Sequence, residues 1–208
     1  MHENCFCEYW KSDWNKVKPC WNDGFVLDIA KTVLWAIRKI SISNWITFPL
    51  IKHGLYRWAY RAVDLYVIAW LIAVVGLSIC RYNVAPDNNS HTVLLFVISY
   101  RLLDIFQTWI GNFFIGDPVI RYPHRTLMLT FIGYGEIILW YSILVYILHA
   151  SFGISSFQES LYYASGTASI GTDIRPKTFV GIIVFSTQVM FAISFLAVVV
   201  NRIIALTK

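Results

Sequence analysis

Four long apolar blocks dominate the pattern of hydrophobic and polar positions along the chain. Shorter stretches rich in charged residues, Pro, Gly and Asn separate them. A helix needs about 20 mostly apolar residues to cross the hydrocarbon core of a bilayer, and each block reaches that length with a small extension at its ends. The pattern therefore predicts an all-α membrane protein with four transmembrane helices, at residues 65–80, 93–114, 126–148 and 179–206.

The residues ahead of the first block follow a different pattern. Between residues 25 and 40, Ile29, Val33 and Ile37 recur at helical spacing, while most charges fall on other faces. Such a basic amphipathic helix is typical of the membrane interface, and packing on the cytoplasmic side of the protein is the alternative. We expect Pro49 to break this segment, and the residues after it to lead into the first transmembrane helix.

The segment between the last two blocks is too polar to cross a membrane, yet its sequence pattern predicts local structure. Residues 157–167 predict a short helix with Ser155 or Ser156 as its N-cap. A re-entrant pore loop consists of a short helix, an extended stretch of carbonyl groups and a Pro that turns the chain back. At membrane depth, such non-helical backbone is tolerated only where protein buries it or where it lines water. The alternative is an ordinary extracellular loop in which Asp173 is solvated.

The letters T-A-S-I-G at 167–171 and D-I-R-P at 173–176 resemble the pore loop of the potassium-channel superfamily. The third block is similar to the outer helix of that superfamily, and the last block, with Gln188, Phe195 and Asn201, to its inner helix. The resemblance implies a homotetramer in which each chain supplies one quarter of an ion filter. It divides the chain into an N-terminal region at 1–63, two peripheral transmembrane helices at 64–114 and a pore domain at 115–208.

The resemblance also implies roles for individual residues. The implied filter residues are Thr167, Ser169, Ile170, Gly171, Thr172 and Asp173, and the implied inner-pore residues are Ser194, Ala197 and Asn201. The chain departs from the usual filter after Gly171, where the family has Tyr-Gly before the Asp and this chain has only Thr172. That spacing is similar to the T-I-G-E-T-P filter of cyclic-nucleotide-gated channels.

This departure implies a shorter filter that passes K⁺ and Na⁺ with weak selectivity and requires no cofactor. Four Asp173 carboxylates in a tetramer can concentrate cations and hold a divalent ion. A potassium-selective channel is one alternative. A non-conducting membrane adaptor or accessory subunit that acts through its N-terminal region is another.

Composition and charge further restrict the class of protein to which the chain can belong. The chain is 57% hydrophobic and 14% charged, whereas soluble domains are about 25% charged, so a soluble enzyme is excluded. The formal charge of +5 does not indicate a nucleic-acid partner, because the basic residues lie beside the spans. With the N-terminus inside, thirteen Lys and Arg fall on the cytoplasmic side and three outside, which predicts that both termini are cytoplasmic. The expected partners are further copies of the chain, membrane lipids and a cytoplasmic gating partner.

Three charged residues fall inside the predicted spans. Arg101 and Asp104 lie three positions apart in the second block, and Glu136 lies in the third. Charges at membrane depth usually face the protein interior and pair. We therefore predict a structural ion pair, joined by Glu136, rather than a voltage sensor, because a single Arg is not a repeated ladder. We find no catalytic motif in the sequence and therefore do not expect an enzyme.

The N-terminus contains potential zinc ligands. His2, Cys5, Cys7 and Cys20 are the right residue types for a structural zinc site. However, Cys-x-Cys is tighter than the usual spacing and has no second paired half. Free thiols are therefore the favoured interpretation, since a cytosolic location also disfavours disulfides.

Overall fold

A computed structural model describes residues 41–83, 91–114, 123–169 and 171–206, together with positions 32, 33 and 36. Over this part of the chain the structure is helical and contains no strand. From residue 41 onward, the described residues form seven helices in this order: α1 (Ile42–Lys52), α2 (Tyr56–Asn83), α3 (His91–Phe114), α4 (Pro123–Ile147), α5 (His149–Phe152), α6 (Phe157–Ala168) and α7 (Phe179–Leu206).

Four of these helices are long and apolar enough to cross a membrane. The qualifying stretches are Tyr56–Arg81, Thr92–Trp109, His124–Ile147 and Phe179–Asn201. The predicted all-α architecture with four such helices is therefore confirmed. The first of them begins earlier than the apolar block indicated, at Tyr56, because the helix continues through Arg57 and Arg61 before the uninterrupted apolar run starts.

Helix α4 is the centre of the bundle. It packs against α2, α3, α6 and α7, and its side chains Trp140, Tyr141 and Ile143 are fully buried. Helix α2 is the opposite case, with Leu65 and Ile72 about two-thirds exposed. An outward face made of such side chains suits a hydrocarbon environment rather than water.

Helix α1 corrects one expectation, because Pro49 does not break it. The helix continues past Pro49 to Lys52, and the chain turns at Gly54, which has a φ of 72°. The Gly54 amide donates to the Ile51 carbonyl at 3.0 Å, and the Leu55 amide donates to the Leu50 carbonyl at 2.8 Å. This is the hydrogen-bond pattern of a glycine-terminated helix. Proline removes only one intrahelical bond, whereas the left-handed residue redirects the chain into α2.

Helix α1 begins against the middle of α3. The Ser41 hydroxyl donates to Asp104 Oδ1 at 2.5 Å, and the Ile42 amide donates to the Tyr100 hydroxyl at 3.0 Å. Ser41 is buried, although it falls within the predicted N-terminal region 1–63. The cytoplasmic location of that region stays a prediction, and the amphipathic helix expected at 25–40 lies almost wholly outside the described residues.

The short helix α6 begins where the sequence indicated. Ser156 is its N-cap and accepts a hydrogen bond from the Glu159 amide at 3.2 Å. In return, the Glu159 carboxylate accepts from the Ser155 amide at 2.7 Å and from the Ser155 hydroxyl at 3.0 Å. These bonds stabilise the ionised form and lower the pKa of Glu159. The reciprocal bonds fix the start of the helix.

Candidate functional site

Helix α6 runs back along the second half of α4. Near its start, the Phe157 ring lies 5.7 Å from the Tyr146 ring. At its end, the Tyr134 hydroxyl donates to the Ala168 carbonyl at 2.6 Å. Tyr146 and Tyr134 are separated by about 18 Å at 1.5 Å per helical residue, and Tyr134 lies at the middle of α4. Helix α6 therefore ends level with the middle of its neighbour.

The chain then returns to the end of the bundle from which α6 started. The Gly171 amide donates to the Gly166 carbonyl at 2.8 Å, and the Lys177 amide donates to the Ser151 carbonyl at 2.7 Å. Residues 171–177 contain no helix, and their exposure alternates from one residue to the next. Gly171, Asp173, Arg175 and Lys177 are exposed. The alternation is what an extended segment with one covered side produces.

The predicted filter residues differ in what their side chains contact. Thr167 is buried, and its hydroxyl donates to the Tyr163 carbonyl at 2.9 Å. The Ser169 hydroxyl donates to the carbonyls of Ser165 and Gly166, at 3.0 and 3.1 Å. Both hydroxyls are therefore directed back to α6.

The return segment presents different groups. Thr172 is partly buried, and its hydroxyl accepts from the Ile174 amide at 3.3 Å. Gly171 and Asp173 are exposed, whereas Ile170 lies outside the described residues. The exposed groups of the predicted filter thus come from the segment after α6 and from Ser169.

Gly166 is a residue of this site that the sequence analysis did not single out. A Cβ built on Gly166 would lie 2.8 Å from the Gly171 carbonyl oxygen and 3.4 Å from Thr172 Cβ. Among the described atoms, nothing lies within 4 Å of a Cβ built on Gly171. The close approach between helix and return segment therefore depends on Gly166. A small residue in the last turn of a helix, directly before a polar segment, was the only signal in the sequence.

Helix α7 carries the predicted inner-pore residues on or beside its outward face. Ala197 and Asn201 are exposed and lie one turn apart, and Ser194 is partly buried. A buried stripe on the opposite side packs against the bundle, formed by Val184, Gln188, Phe191, Phe195 and Val198. Large apolar side chains such as Met190 and Ile193 are more than half exposed on α7, and Ser186 and Thr187 are exposed as well.

The structure brings the three intramembrane charges together at the centre of the bundle. Arg101 donates to both oxygens of Glu136, from Nε to Oε1 at 2.6 Å and from Nη2 to Oε2 at 2.8 Å. It also donates from Nη1 to Asp104 Oδ2 at 2.7 Å. All three side chains are at most 3% exposed. The geometry is that of a structural ion pair, and the guanidinium has no repeated basic neighbours on α3.

The remaining donors of this cluster come from α2, from Ser41 at the start of α1, and from α3 and α4 themselves. Asp104 also accepts from the Tyr66 hydroxyl at 2.9 Å and from Gln107 Nε2 at 3.0 Å, in addition to Ser41. Glu136 also accepts from Trp140 Nε1 at 3.0 Å. The Arg101 guanidinium lies 5.0 Å from the Tyr66 ring and 5.3 Å from the Trp70 ring. Each carboxylate oxygen thus has at least one donor, which is the condition for charges to remain buried.

The potential zinc ligands His2, Cys5, Cys7 and Cys20 lie outside the described residues. Within residues 41–83, 91–114, 123–169 and 171–206, no group of three or more His, Cys, Asp or Glu side chains is arranged to hold a metal ion.

The fold and site define an all-helical protein with four candidate membrane spans and a polar helix-and-return segment between the third and fourth. Comparison with family models, with curated proteins and with solved structures gives no match to this chain. The resemblance to the potassium-channel superfamily therefore rests on the sequence motifs alone.

Proposed function

We propose that the chain is one subunit of a tetrameric channel that passes K⁺ and Na⁺ with weak selectivity. In this proposal residues 157–177 form a re-entrant pore loop. The observation that carries the proposal is the contact between Tyr134 and Ala168. It puts the end of α6 level with the middle of a helix long enough to cross a membrane, and the chain then returns to Ser151 at the starting end.

The path length of the loop supports this proposal. Helix α6 descends about 18 Å over its 12 residues. A segment such as 171–177 rises about 3.3 Å per residue when extended, so it can recover that depth within its own length. A helix of α6's orientation directs the negative end of its dipole toward the middle of the membrane, which favours a cation there.

Asp173 is the residue that we expect to set the cation preference. Its carboxylate is exposed on the return segment, two residues beyond Gly171. In a tetramer four such groups would form a ring that concentrates cations and can hold a divalent ion. Arg175 and Lys177 follow on the same exposed side of the segment, and their charges partly oppose the ring.

The exposed face of α7 would line the inner part of this pore. Ala197 and Asn201 lie on that face, and Asn201 contributes an amide to it. In the proposed orientation both termini are cytoplasmic, and permeant K⁺ or Na⁺ in the filter are the only ions required.

The proposal is tested on purified protein in planar bilayers. We expect cation current whose conductance falls in Asp173→Asn, and whose sensitivity to added Mg²⁺ falls in the same variant. Glu159→Gln is the matched control, because it removes an exposed carboxylate at the start of α6 rather than on the return segment. Equal effects of the two variants, or an anion current, would contradict the proposal. Cross-linking in detergent provides the subunit number, and a monomer would exclude the tetramer.

A further inference from the structure

Two side-chain donors, one from each long neighbour, hold α6 by its carbonyl groups. The Tyr134 hydroxyl of α4 donates to the Ala168 carbonyl at 2.6 Å, and Gln188 Nε2 of α7 donates to the Ala164 carbonyl at 2.6 Å. Ala164 and Ala168 are one helical turn apart, and both are buried. The two bonds therefore fix the same face of the helix from two directions.

The bond from Tyr134 matters more for the end of α6. Ala168 is the last residue of the helix, so its carbonyl has no donor from a following turn. A buried acceptor that lacks a partner is costly. The Tyr134 hydroxyl supplies that partner, and its removal would leave this end of α6 without it.

Tyr134 is in turn held by α7. Its ring stacks on the Phe195 ring with centroids 3.9 Å apart and an angle of 7° between the planes. Trp109 of α3 lies 5.8 Å from Phe195 and 6.4 Å from Tyr134. The position of the hydroxyl thus depends on where Phe195, and with it α7, lies.

The end of α6 also determines where the return segment starts. Gly166 lies in the last turn of α6, and its carbonyl accepts the Gly171 amide at 2.8 Å. A displacement of that turn therefore moves Gly171 with it. The contacts form a continuous path from Phe195 through Tyr134 and Ala168 to Gly171.

We propose that Tyr134 is a positioning residue for the filter, which sets the depth of the α6 end through its hydroxyl and transmits the position of α7 to the return segment. The inference rests on the proposed function for its effect on ion selectivity. Its structural part, the restraint of residues 166–169 and of Gly171, does not depend on conduction.

The test compares Tyr134→Phe with Tyr141→Phe. Tyr134→Phe keeps the ring and its stacking on Phe195 and removes only the hydroxyl. Tyr141→Phe is the matched control, because the Tyr141 hydroxyl donates to Thr187 Oγ1 at 3.0 Å and so joins α4 to α7 instead of α6. Each variant is measured in two ways: by the K⁺/Na⁺ reversal potential, and by hydrogen–deuterium exchange of peptides that cover residues 164–172.

The hydroxyl at 134 is expected to restrain local opening of the α6 end. Loss of one buried hydrogen bond corresponds to about a fivefold rise in the exchange rate of the peptide that contains Gly171. Tyr134→Phe should show this rise and a shifted reversal potential, and Tyr141→Phe should show neither. If the two variants are indistinguishable in exchange, the inference is overturned, whatever the currents show.

A second variant, Gln188→Met, is measured in case Tyr134→Phe folds poorly. Gln188→Met removes the other donor while it keeps a long side chain, and we expect it to raise exchange in the same peptide. Failure of the proposed function gives a different result: the wild type carries no cation current, while Tyr134→Phe still raises exchange. A shift in reversal potential without a change in exchange would show that the hydroxyl does not act through the α6 end, and would also overturn the inference.

Discussion

Arg101 and Glu136 face each other through two parallel hydrogen bonds, of 2.6 and 2.8 Å, between the middles of α3 and α4. Glu136 is fully buried, and Arg101 is 3% exposed. The bidentate geometry fixes the rotation of α3 relative to α4 as well as their separation. This pair therefore defines the register of α3, which packs against α7, and of α4, which packs against both α6 and α7.

Breaking this pair should be strongly destabilising. Glu136→Gln leaves the buried guanidinium with only Asp104 as an ionic partner, and loss of one partner of a buried ion pair costs about 3–5 kcal/mol. The measurement is the free energy of unfolding in mixed detergent micelles. Asp64→Asn is the control, because the Arg125–Asp64 pair is 29% and 39% exposed and such pairs contribute about 0–1 kcal/mol. Equal losses in the two variants would contradict this account of the cluster.

The contact between Ser41 and Asp104 should anchor α1. Ser41→Ala removes one donor from a buried carboxylate that keeps three others, and a hydrogen bond to a charged group contributes about 1.5–3 kcal/mol. We expect a loss at the lower end of that range, together with faster proteolysis of the N-terminal region. Ser142→Ala is a suitable comparison, because the Ser142 hydroxyl bonds only within α4, to Ile138. If Ser142→Ala destabilises the protein as much, the bond to Asp104 has no special role.

Two glycines of the loop should respond differently to the same substitution. Gly166→Ala places a methyl group 2.8 Å from the Gly171 carbonyl oxygen, and such overpacking typically costs about 1–3 kcal/mol. Gly171→Ala meets no described atom within 4 Å, so the fold of the chain should tolerate it. The free energy of unfolding distinguishes the two. A larger loss in Gly171→Ala than in Gly166→Ala would show that the return segment does not lie against α6 as described.

Protonation of Glu159 at acid pH should weaken the hydrogen bonds that stabilise the start of α6. Hydrogen bonds from Ser155 lower the pKa of this carboxyl below its ordinary value of 4.5. A carboxyl with a lowered pKa in the folded state stabilises that state above its unfolded pKa, and the contribution is lost as the pH falls through the folded pKa. Thermal unfolding followed from pH 7 downward should therefore show a decline below about pH 4.5 that is smaller in Glu159→Gln. Identical pH profiles for the two proteins would exclude this contribution.

The sequence predicted the features that repeat along the chain or depend on neighbours within one turn. The four apolar blocks have the length of membrane-spanning helices, and the N-cap of α6 depends on Ser156 and Glu159, three residues apart. The course of α1 was not predictable in the same way, because the effect of Pro49 is outweighed by the glycine turn at Gly54 and by the contact of Ser41 with α3.

The contacts that support the loop could not be predicted from the sequence, although Gln188 belongs to the motif that resembles an inner helix. Tyr134, Gln188 and Gly166 have ordinary neighbours in sequence, and their roles arise only from contacts with residues more than 20 positions away or with the returning chain. By contrast, Arg101, Asp104 and Glu136 could be recognised, because a charge within an apolar block requires a partner. The roles of Tyr134, Gln188 and Gly166 depend on tertiary packing. The pairing of the three charged residues follows from the cost of burying a charge.

We propose that residues 157–177 form a weakly selective cation pore in a tetramer. The most direct test is the reversal potential of the reconstituted wild-type protein with KCl on one side of the bilayer and NaCl on the other. We expect a cation current that reverses near zero, because the proposed short filter would distinguish poorly between the two ions. A strongly displaced reversal potential that favours K⁺ would contradict the weak selectivity, and folded tetramers that carry no cation current would contradict the pore itself.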